Sequence, residues 1–162
     1  MPVIRPATAA DWPALWAFLQ PTFAAGDTYA YDPDSSEADI RKVWMDLPAA
    51  TFVACGEQGQ VLGTYYLKAN QPGLGAHVCN AGYVVAPVAQ GQGVAAAMCE
   101  HSQEQARALG FLAMQFNLVV STNERAVRLW SHLGFATVGR LPGAFRHARL
   151  GLVDALVMFK TL

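Results

Sequence analysis

The stretch Val84-Val85-Ala86-Pro87-Val88-Ala89-Gln90-Gly91-Gln92-Gly93-Val94-Ala95 decides how the rest of the chain is read. A strand-like run ends at Pro87, two glycines follow within a short loop, and a helical sequence begins at once. Glycine lets backbone N–H groups turn inward and approach a ligand closely. A helix N-terminus adds unpaired N–H donors and partial positive charge, and the combination suits a pyrophosphate. A P-loop needs Lys-Ser/Thr after the second glycine, where Val94-Ala95 stands. A dinucleotide fingerprint wants a third glycine in place of Ala96, an acid about twenty residues on, and a position in the first βαβ unit. This loop lies mid-chain. A strand-to-helix turn that merely needs glycine accounts for the same residues, so the wider pattern has to decide.

Working outward, residues 4–8 read as a short opening strand. A helix starts at Asp11, with Trp12, Leu15, Trp16 and Leu19 at helical spacing, and Pro21 stops it. Residues 22–36, rich in Gly, Asp, Tyr and Pro, read as a loop. Ser36 caps a second helix through Leu47, with Ile40, Val43, Trp44 and Leu47 on one face. Strands over 51–55 and 61–69 are joined by a hairpin-like turn at Glu57-Gln58-Gly59-Gln60. A Gly-rich turn at 71–75 leads to a strand over 78–85. A long helix over 93–109 is closed by Gly110, and residues 112–120 form a buried strand. Asn123 caps a helix over 124–133 closed by Gly134, and residues 136–162 read as strand, long turn, strand. The order β-α-α-β-β-β-α-β-α-β-β implies an α/β domain with helices packed on a mostly antiparallel sheet.

The 162 residues fit one domain spanning 1–162, and a chain of this size buries roughly 70% of its unfolded surface without a disulfide or metal. Only 14% of residues are charged, and 11 Lys+Arg against 12 Asp+Glu leave no global attraction for phosphate, which excludes a strongly basic nucleic-acid binder. No apolar run approaches the ~18 residues of a membrane span. Residues 1–11 carry a Pro, an Arg and an early acid and lack the apolar centre of a signal peptide. The expectation is a soluble cytoplasmic protein. Cys55, Cys79 and Cys99 are odd in number with no CxxC, and the four histidines are scattered, so no metal site is expected. Three reduced core cysteines are expected instead.

Gln90-Gly91-Gln92-Gly93-Val94-Ala95, directly after Val84-Val85-Ala86-Pro87, resembles the acyl-CoA-binding signature of the GNAT superfamily, Gln/Arg-x-x-Gly-x-Gly/Ala. Asn123-Glu124-Arg125-Ala126-Val127-Arg128-Leu129-Trp130-Ser131-His132-Leu133-Gly134-Phe135 resembles its second motif, Asn-x-x-Ala-x-x-Leu-Tyr-x-x-x-Gly-Phe. The two motifs lie at the usual separation, and the order of elements agrees over nearly the whole chain. The resemblance implies a mixed, mostly antiparallel seven-stranded sheet flanked by about four helices. It also implies transfer of an acetyl group from acetyl-CoA to an amine. The pyrophosphate would sit on the amides of Gln90, Gly91, Gln92, Gly93, Val94 and Ala95. The pantetheine arm would pair with the backbone of Val84 and Val85, where the fourth strand splays from the fifth. A bulge there would aim N–H groups, that of Val85 among them, at the thioester oxygen. Such a donor is typically worth about 10²–10³ in rate. Asn123 would touch the cofactor near the pantetheine arm, a contact compatible with helix capping. Homodimers are frequent in the superfamily, and Trp12, Trp16 and Trp44 would build either core or a dimer face.

The chain also departs from the family. No Asp or Glu occurs between Glu57 and Glu100, so the usual general base is missing. Trp130 stands where many relatives place the Tyr that protonates the leaving thiolate, and an indole N–H is no useful acid. A thiol pKa near ~8.5 lets CoA thiolate leave unprotonated, provided that the amine arrives neutral. Asn80 and Asn117 each fall in a central strand, where a buried amide must find partners or cost ~1–3 kcal/mol. They either satisfy nearby backbone or orient an amine. The arrangement is similar to the fungal branch that acetylates azetidine-2-carboxylate and 4-hydroxyproline, where two such asparagines handle the substrate. An aromatic follows the first by three residues, as Tyr83 does here. An amino-acid acceptor brings a carboxylate, for which Arg146 and His147 are candidates; with Arg149 they read equally as a surface cluster. Asp27, Thr28, Tyr29 and Tyr31 either wall the acceptor pocket or anchor their loop. The resulting expectation is direct acetyl transfer to a small-molecule amine. Protein N-termini, polyamines and antibiotics are the rival acceptors, and a silent acyl-CoA sensor is the rival function.

Overall fold

In the computed structural model, which describes residues 1–162, the alternating apolar segments assemble into one seven-stranded sheet. Its strands are β1 (Val3–Pro6), β2 (Ala50–Cys55), β3 (Val61–Ala69), β4 (Val78–Val85), β5 (Ala113–Val120), β6 (Ala136–His147) and β7 (Gly151–Thr161). They lie side by side in the order β1-β2-β3-β4-β5-β7-β6. Every neighbouring pair is antiparallel except β4 and β5. The helices are α1 (Trp12–Ala24), α2 (Glu37–Arg41), α3 (Val94–Ala108) and α4 (Glu124–His132). Element order and sheet type therefore match the sequence expectation. No helix is long and apolar enough to cross a membrane.

Successive strand residues face opposite sides of the sheet, and the register of β3 on β4 runs unbroken from Gly63 opposite Val85 to Ala69 opposite Cys79. One face carries Val53, Tyr66 and Val84, which pack against Leu15, Leu19 and Phe23 of α1 and the buried Ile40 and Trp44. The other carries Tyr65, Leu67, Cys79 and Ala81 against Val94, Met98 and Cys99 of α3. The three cysteines are free and buried, as expected. Trp12 and Trp44 are core residues.

Three local expectations need correction. Pro21 does not stop α1, which runs on to Ala24. Burial of Phe18, Leu19 and Phe23 holds the last turn in place, and the Thr22 hydroxyl donates to the Phe18 carbonyl at 2.7 Å. These contacts offset the N–H that proline lacks. The second helix is not one α-helix through Leu47. Residues Lys42–Asp46 widen into a π turn, closed by the Leu47 N–H on the Lys42 carbonyl at 2.9 Å. The change of pitch keeps Trp44 fully buried and turns Leu47, 63% exposed, to solvent. The chain end has no long turn either. β6 and β7 form an extended hairpin, with a register irregularity at Leu141/Phe145 that accommodates Pro142 on the outer strand of the sheet.

Candidate active site

The parallel strands β4 and β5 pair only at Val78 with Ala113 and Cys79 with Met114. Beyond that they diverge and leave a wedge. The backbone of β4 decides what points into it. The Asn70 N–H donates to the Val78 carbonyl and the Ala86 N–H to the Leu62 carbonyl, both at 2.8 Å, so even-numbered residues bond to β3. The His77 carbonyl accepts the Leu112 N–H, so odd-numbered residues face β5. The N–H groups of Ala81, Tyr83 and Val85 therefore open into the wedge with no strand to meet them. Val85 thus presents a free N–H at the wide end of the wedge. Val84 is corrected: its backbone belongs to β3, and only its buried side chain reaches the site. The expected bulge on β4 is also absent. An irregularity sits on β5 instead, between Phe116 and Val119.

At the wide end of the wedge, Gly91 and Gly93 take φ of +80° and +79°, a left-handed backbone open to glycine at no steric cost. Gly93 is the N-cap of α3 and offers no side-chain cap. The N–H groups of Gly91, Gly93, Val94, Ala95 and Ala96 accordingly have no partner in the protein, whereas the Ala97 N–H already bonds the Gly93 carbonyl. Five converging amides at a helix N-terminus form an anion cradle. Gln90 and Gln92 are not among them. Their amides bond to the Pro87 and Ala89 carbonyls, and the Gln92 side chain turns back to the Val88 carbonyl. Cradle and wedge join in one cavity of about 830 Å³, which Asn123, Arg125 and Ala126 of the second motif also line. Asn123 caps α4 through the Ala126 N–H at 3.3 Å, and its amide nitrogen has no partner.

This strand-cradle-helix geometry agrees with the comparisons. The model of the Acetyltransferase (GNAT) family matches residues 12–135. The chain belongs to the GNAT acetyltransferase family. A GCN5-related N-acetyltransferase from Kribbella flavida is 43% identical, with a TM-score of 0.94 over 99% of this chain and 98% of its own. N-acetyltransferase aca1 of Schizosaccharomyces pombe is 36% identical over 98 residues, 60% of this chain. The match spans 47% of that relative's length. A phosphinothricin acetyltransferase from Sinorhizobium meliloti shares the fold at 21% identity, with a TM-score of 0.88 over 99% of this chain and 88% of its own.

On this GNAT scaffold, register puts Asn80 and Asn117 on the same face of the sheet, and both line the cavity. Asn80 is buried; its Nδ2 donates to the Gln115 carbonyl at 3.0 Å and its Oδ1 accepts from the Tyr66 hydroxyl at 3.2 Å. It thereby holds the narrow end of the wedge. Asn117 is exposed, not buried as the strand pattern implies, because the β5 irregularity turns it outward. Its Oδ1 accepts from Gln115 Nε2 at 2.9 Å, and its Nδ2 donates to Asn70 Oδ1 at 2.6 Å. Each amide oxygen keeps one lone pair for a ligand. Tyr83 lies on the opposite face from Asn80. Its hydroxyl is 2.7 Å from Ser102 Oγ, and its ring is 5.1 Å from Trp130, centroid to centroid.

Tyr29 and Tyr31 do wall the cavity together with Thr28, whereas Asp27 does not. The Tyr29 hydroxyl donates to the Tyr83 carbonyl and so ties the early loop to the wedge. Arg146 and His147 are corrected: neither lines the cavity. His147 is buried, and its Nδ1 accepts the Arg149 and Leu150 N–H groups at 3.1 and 3.2 Å, closing the β6–β7 turn. Arg146 is exposed at the end of β6.

The cavity wall contains no carboxylate, and burial raises the phenols of Tyr29, Tyr31, Tyr66 and Tyr83 above their ordinary range. These phenols donate hydrogen bonds at neutral pH and do not act as bases. Burial also pushes the Cys79 thiol up to about 12 and the Cys99 thiol up to about 11, far from nucleophilic thiolates. Two charged wall residues escaped the sequence reading, Lys68 of β3 and Arg125 of α4. Arg125 Nη2 is 3.7 Å from where a Cβ on Gly91 would stand, placing a guanidinium over the cradle. It occupies a variable place in the second motif, and only the fold brings it to the loop.

Proposed function

We propose that this chain transfers the acetyl group of acetyl-CoA to the amine of a small molecule, an amino acid of the proline-analogue kind, by direct attack in a ternary complex. The observation that carries the reading is the continuous path from five unpartnered cradle amides to the free N–H groups of the wedge, ending between Asn80 and Asn117. Family membership and the likeness to N-acetyltransferases support it. The cradle and Arg125 hold the pyrophosphate. The pantetheine arm pairs along the odd residues of β4, which brings the thioester oxygen to the Val85 N–H. Beyond it the asparagine oxygens accept the N–H of the acceptor and turn its lone pair toward the thioester carbon. As the C–N bond forms, negative charge grows on the carbonyl oxygen, where the fixed Val85 N–H stabilises it. The C–S bond then breaks and CoA leaves as thiolate, which a thiol pKa near ~8.5 permits without an acid. The acceptor ammonium gives one proton to water before attack, and the nitrogen loses its second proton to water as the tetrahedral adduct collapses to the amide, since the wall holds no base.

The test is free-thiol release from acetyl-CoA against cyclic imino acids, ordinary amino acids, polyamines and short peptides, for wild type and Asn117→Ala. Turnover on cyclic imino acids that falls at least about 10-fold in the variant supports both substrate class and mechanism; the size is that of one hydrogen bond to a polarised group. Turnover confined to another amine removes the acceptor assignment. Tight acetyl-CoA binding with no turnover on any amine moves the reading to an acyl-CoA sensor.

A further inference from the structure

The acceptor end of the cavity contains a cation with no counter-ion. Lys68 lies on β3 directly opposite Asn80 and on the same face of the sheet. Its stem runs along Tyr66, with Nζ 5.3 Å from the ring centroid, and it lines the cavity half-buried. It takes no part in any ion pair of the structure and makes no hydrogen bond through Nζ; the paired cations are Arg5, Arg128 and Arg140. The only other charge in the wall is Arg125, which stands at the opposite end over the phosphate cradle. One cation therefore serves the donor and one is left over, in a wall without a single carboxylate.

We infer that Lys68 sets acceptor specificity by taking the carboxylate of an α-amino or α-imino acid. The inference rests on the acetyl-transfer reading and gives it a substrate class. Spacing favours it. In such an acid two covalent bonds separate the amine nitrogen from the carboxylate carbon. Directly opposed residues on antiparallel strands have Cβ atoms about 4.5–5.5 Å apart. Asn80 and Lys68 can thus hold the two ends of one small molecule. Charge favours it as well. A partly enclosed cavity with unbalanced positive potential concentrates anions and repels polycations, so polyamines are excluded from this end. The sequence candidates for the same task, Arg146 and His147, stand outside the wall. Lys68 is the residue that the fold delivers in their place. The Tyr66 ring beneath the ammonium restricts its motion and keeps Nζ aimed into the cavity.

The experiment compares L-proline or azetidine-2-carboxylate with prolinamide, which keeps the ring amine and lacks the carboxylate, for wild type, Lys68→Met and Lys68→Arg. The wild type is expected to prefer the acid. Lys68→Met lowers the acid-to-amide ratio of kcat/KM about 10- to 100-fold, the span of one charge-assisted hydrogen bond. The loss appears in KM for the acid, and Lys68→Arg restores most of it. An unchanged ratio in Lys68→Met overturns the inference, as does a wild type that prefers the amide. If no amine is turned over, the acetyl-transfer reading fails by itself. Carboxylate capture is then read from calorimetric binding of N-acetyl-L-proline to the protein saturated with CoA. Binding that Lys68→Met abolishes sustains the role of Lys68, and no binding to wild type overturns it.

Discussion

Gly93 offers the simplest probe of the cradle, because space and conformation can be separated there. A Cβ at this position would meet nothing within 4 Å, so the cost of Gly93→Ala is the left-handed backbone at φ +79° alone. That cost is about 1–2 kcal/mol for an L-residue. The chain relieves it by rotating the peptide, which takes the Gly93 and Val94 amides off their common focus. Gly93→Ala is therefore expected to melt only a few degrees lower yet to weaken CoA binding about 10-fold or more, as measured by calorimetry. A variant that loses stability but keeps full CoA affinity would show that these amides do not carry the phosphate. Gly82 acts through space instead. A Cβ there would stand 2.7 Å from the Tyr66 ring, so the missing side chain is what lets Tyr66 reach Asn80.

At the scale of elements, the buried chain from Trp44 through Thr64 to β2 fixes α2 and its π turn on the sheet. Trp44 Nε1 donates to Thr64 Oγ1 at 3.1 Å, and the Thr64 hydroxyl donates to the Phe52 carbonyl at 2.8 Å, with Trp44 and Thr64 fully buried. Thr64→Val keeps the shape but strands an indole N–H and removes a partner of the Phe52 carbonyl. It should destabilise the fold by about 1–3 kcal/mol in chemical denaturation, with an unchanged m-value. The same contrast between local and distant partners explains what the sequence made legible. The glycine loop, the Asn123 cap and the strand-helix order follow from neighbours a few residues apart, and they stand. Pro21 is a helix breaker by local rule, but the packing of Phe18, Leu19 and Phe23 overrides it. Arg146 and His147 look like a carboxylate grip in the linear sequence. The chain folds the Ala148 N–H onto the Gly26 carbonyl, and the His147 ring is spent on its own turn. A single lysine in an apolar strand reads as the solvent end of that strand. Only the register of β3 against β4, a partnership over twelve residues of chain, turns Lys68 toward Asn80.

For the molecule as a whole, the first strand is pinned by one charged cluster, and this gives stability an acid limb. Asp11 accepts from Arg5 Nη1 and Nη2 at 2.9 and 2.7 Å, from the Thr8 N–H at 2.7 Å and from the Thr8 hydroxyl at 3.1 Å. The cluster joins β1 to the entry of α1, and hence the outer edge of the sheet to the helix that covers it. The Arg5 hydrogen bonds, assisted by those from Thr8 and opposed by partial burial, hold the Asp11 carboxyl well below the usual carboxylate range. A carboxyl whose native pKa lies below its unfolded value near ~3.9 stabilises the fold above that value. The contribution fades as pH falls from about 5 toward the lowered native pKa, because the unfolded chain takes up the proton first. Arg5 is 43% exposed, so solvent screens the ion pair. Asp11→Asn should therefore lose only about 1 kcal/mol at pH 7, the net worth of charge-assisted bonds at a half-open site. Thermal melts of the two proteins between pH 7 and pH 3 test the sign. The gap in Tm is expected to narrow steadily below pH 5, because the wild type loses there what the variant never had. A gap that stays constant to pH 3 would mean that the effect of the substitution is shape rather than charge, and the acid limb would then belong to other carboxylates.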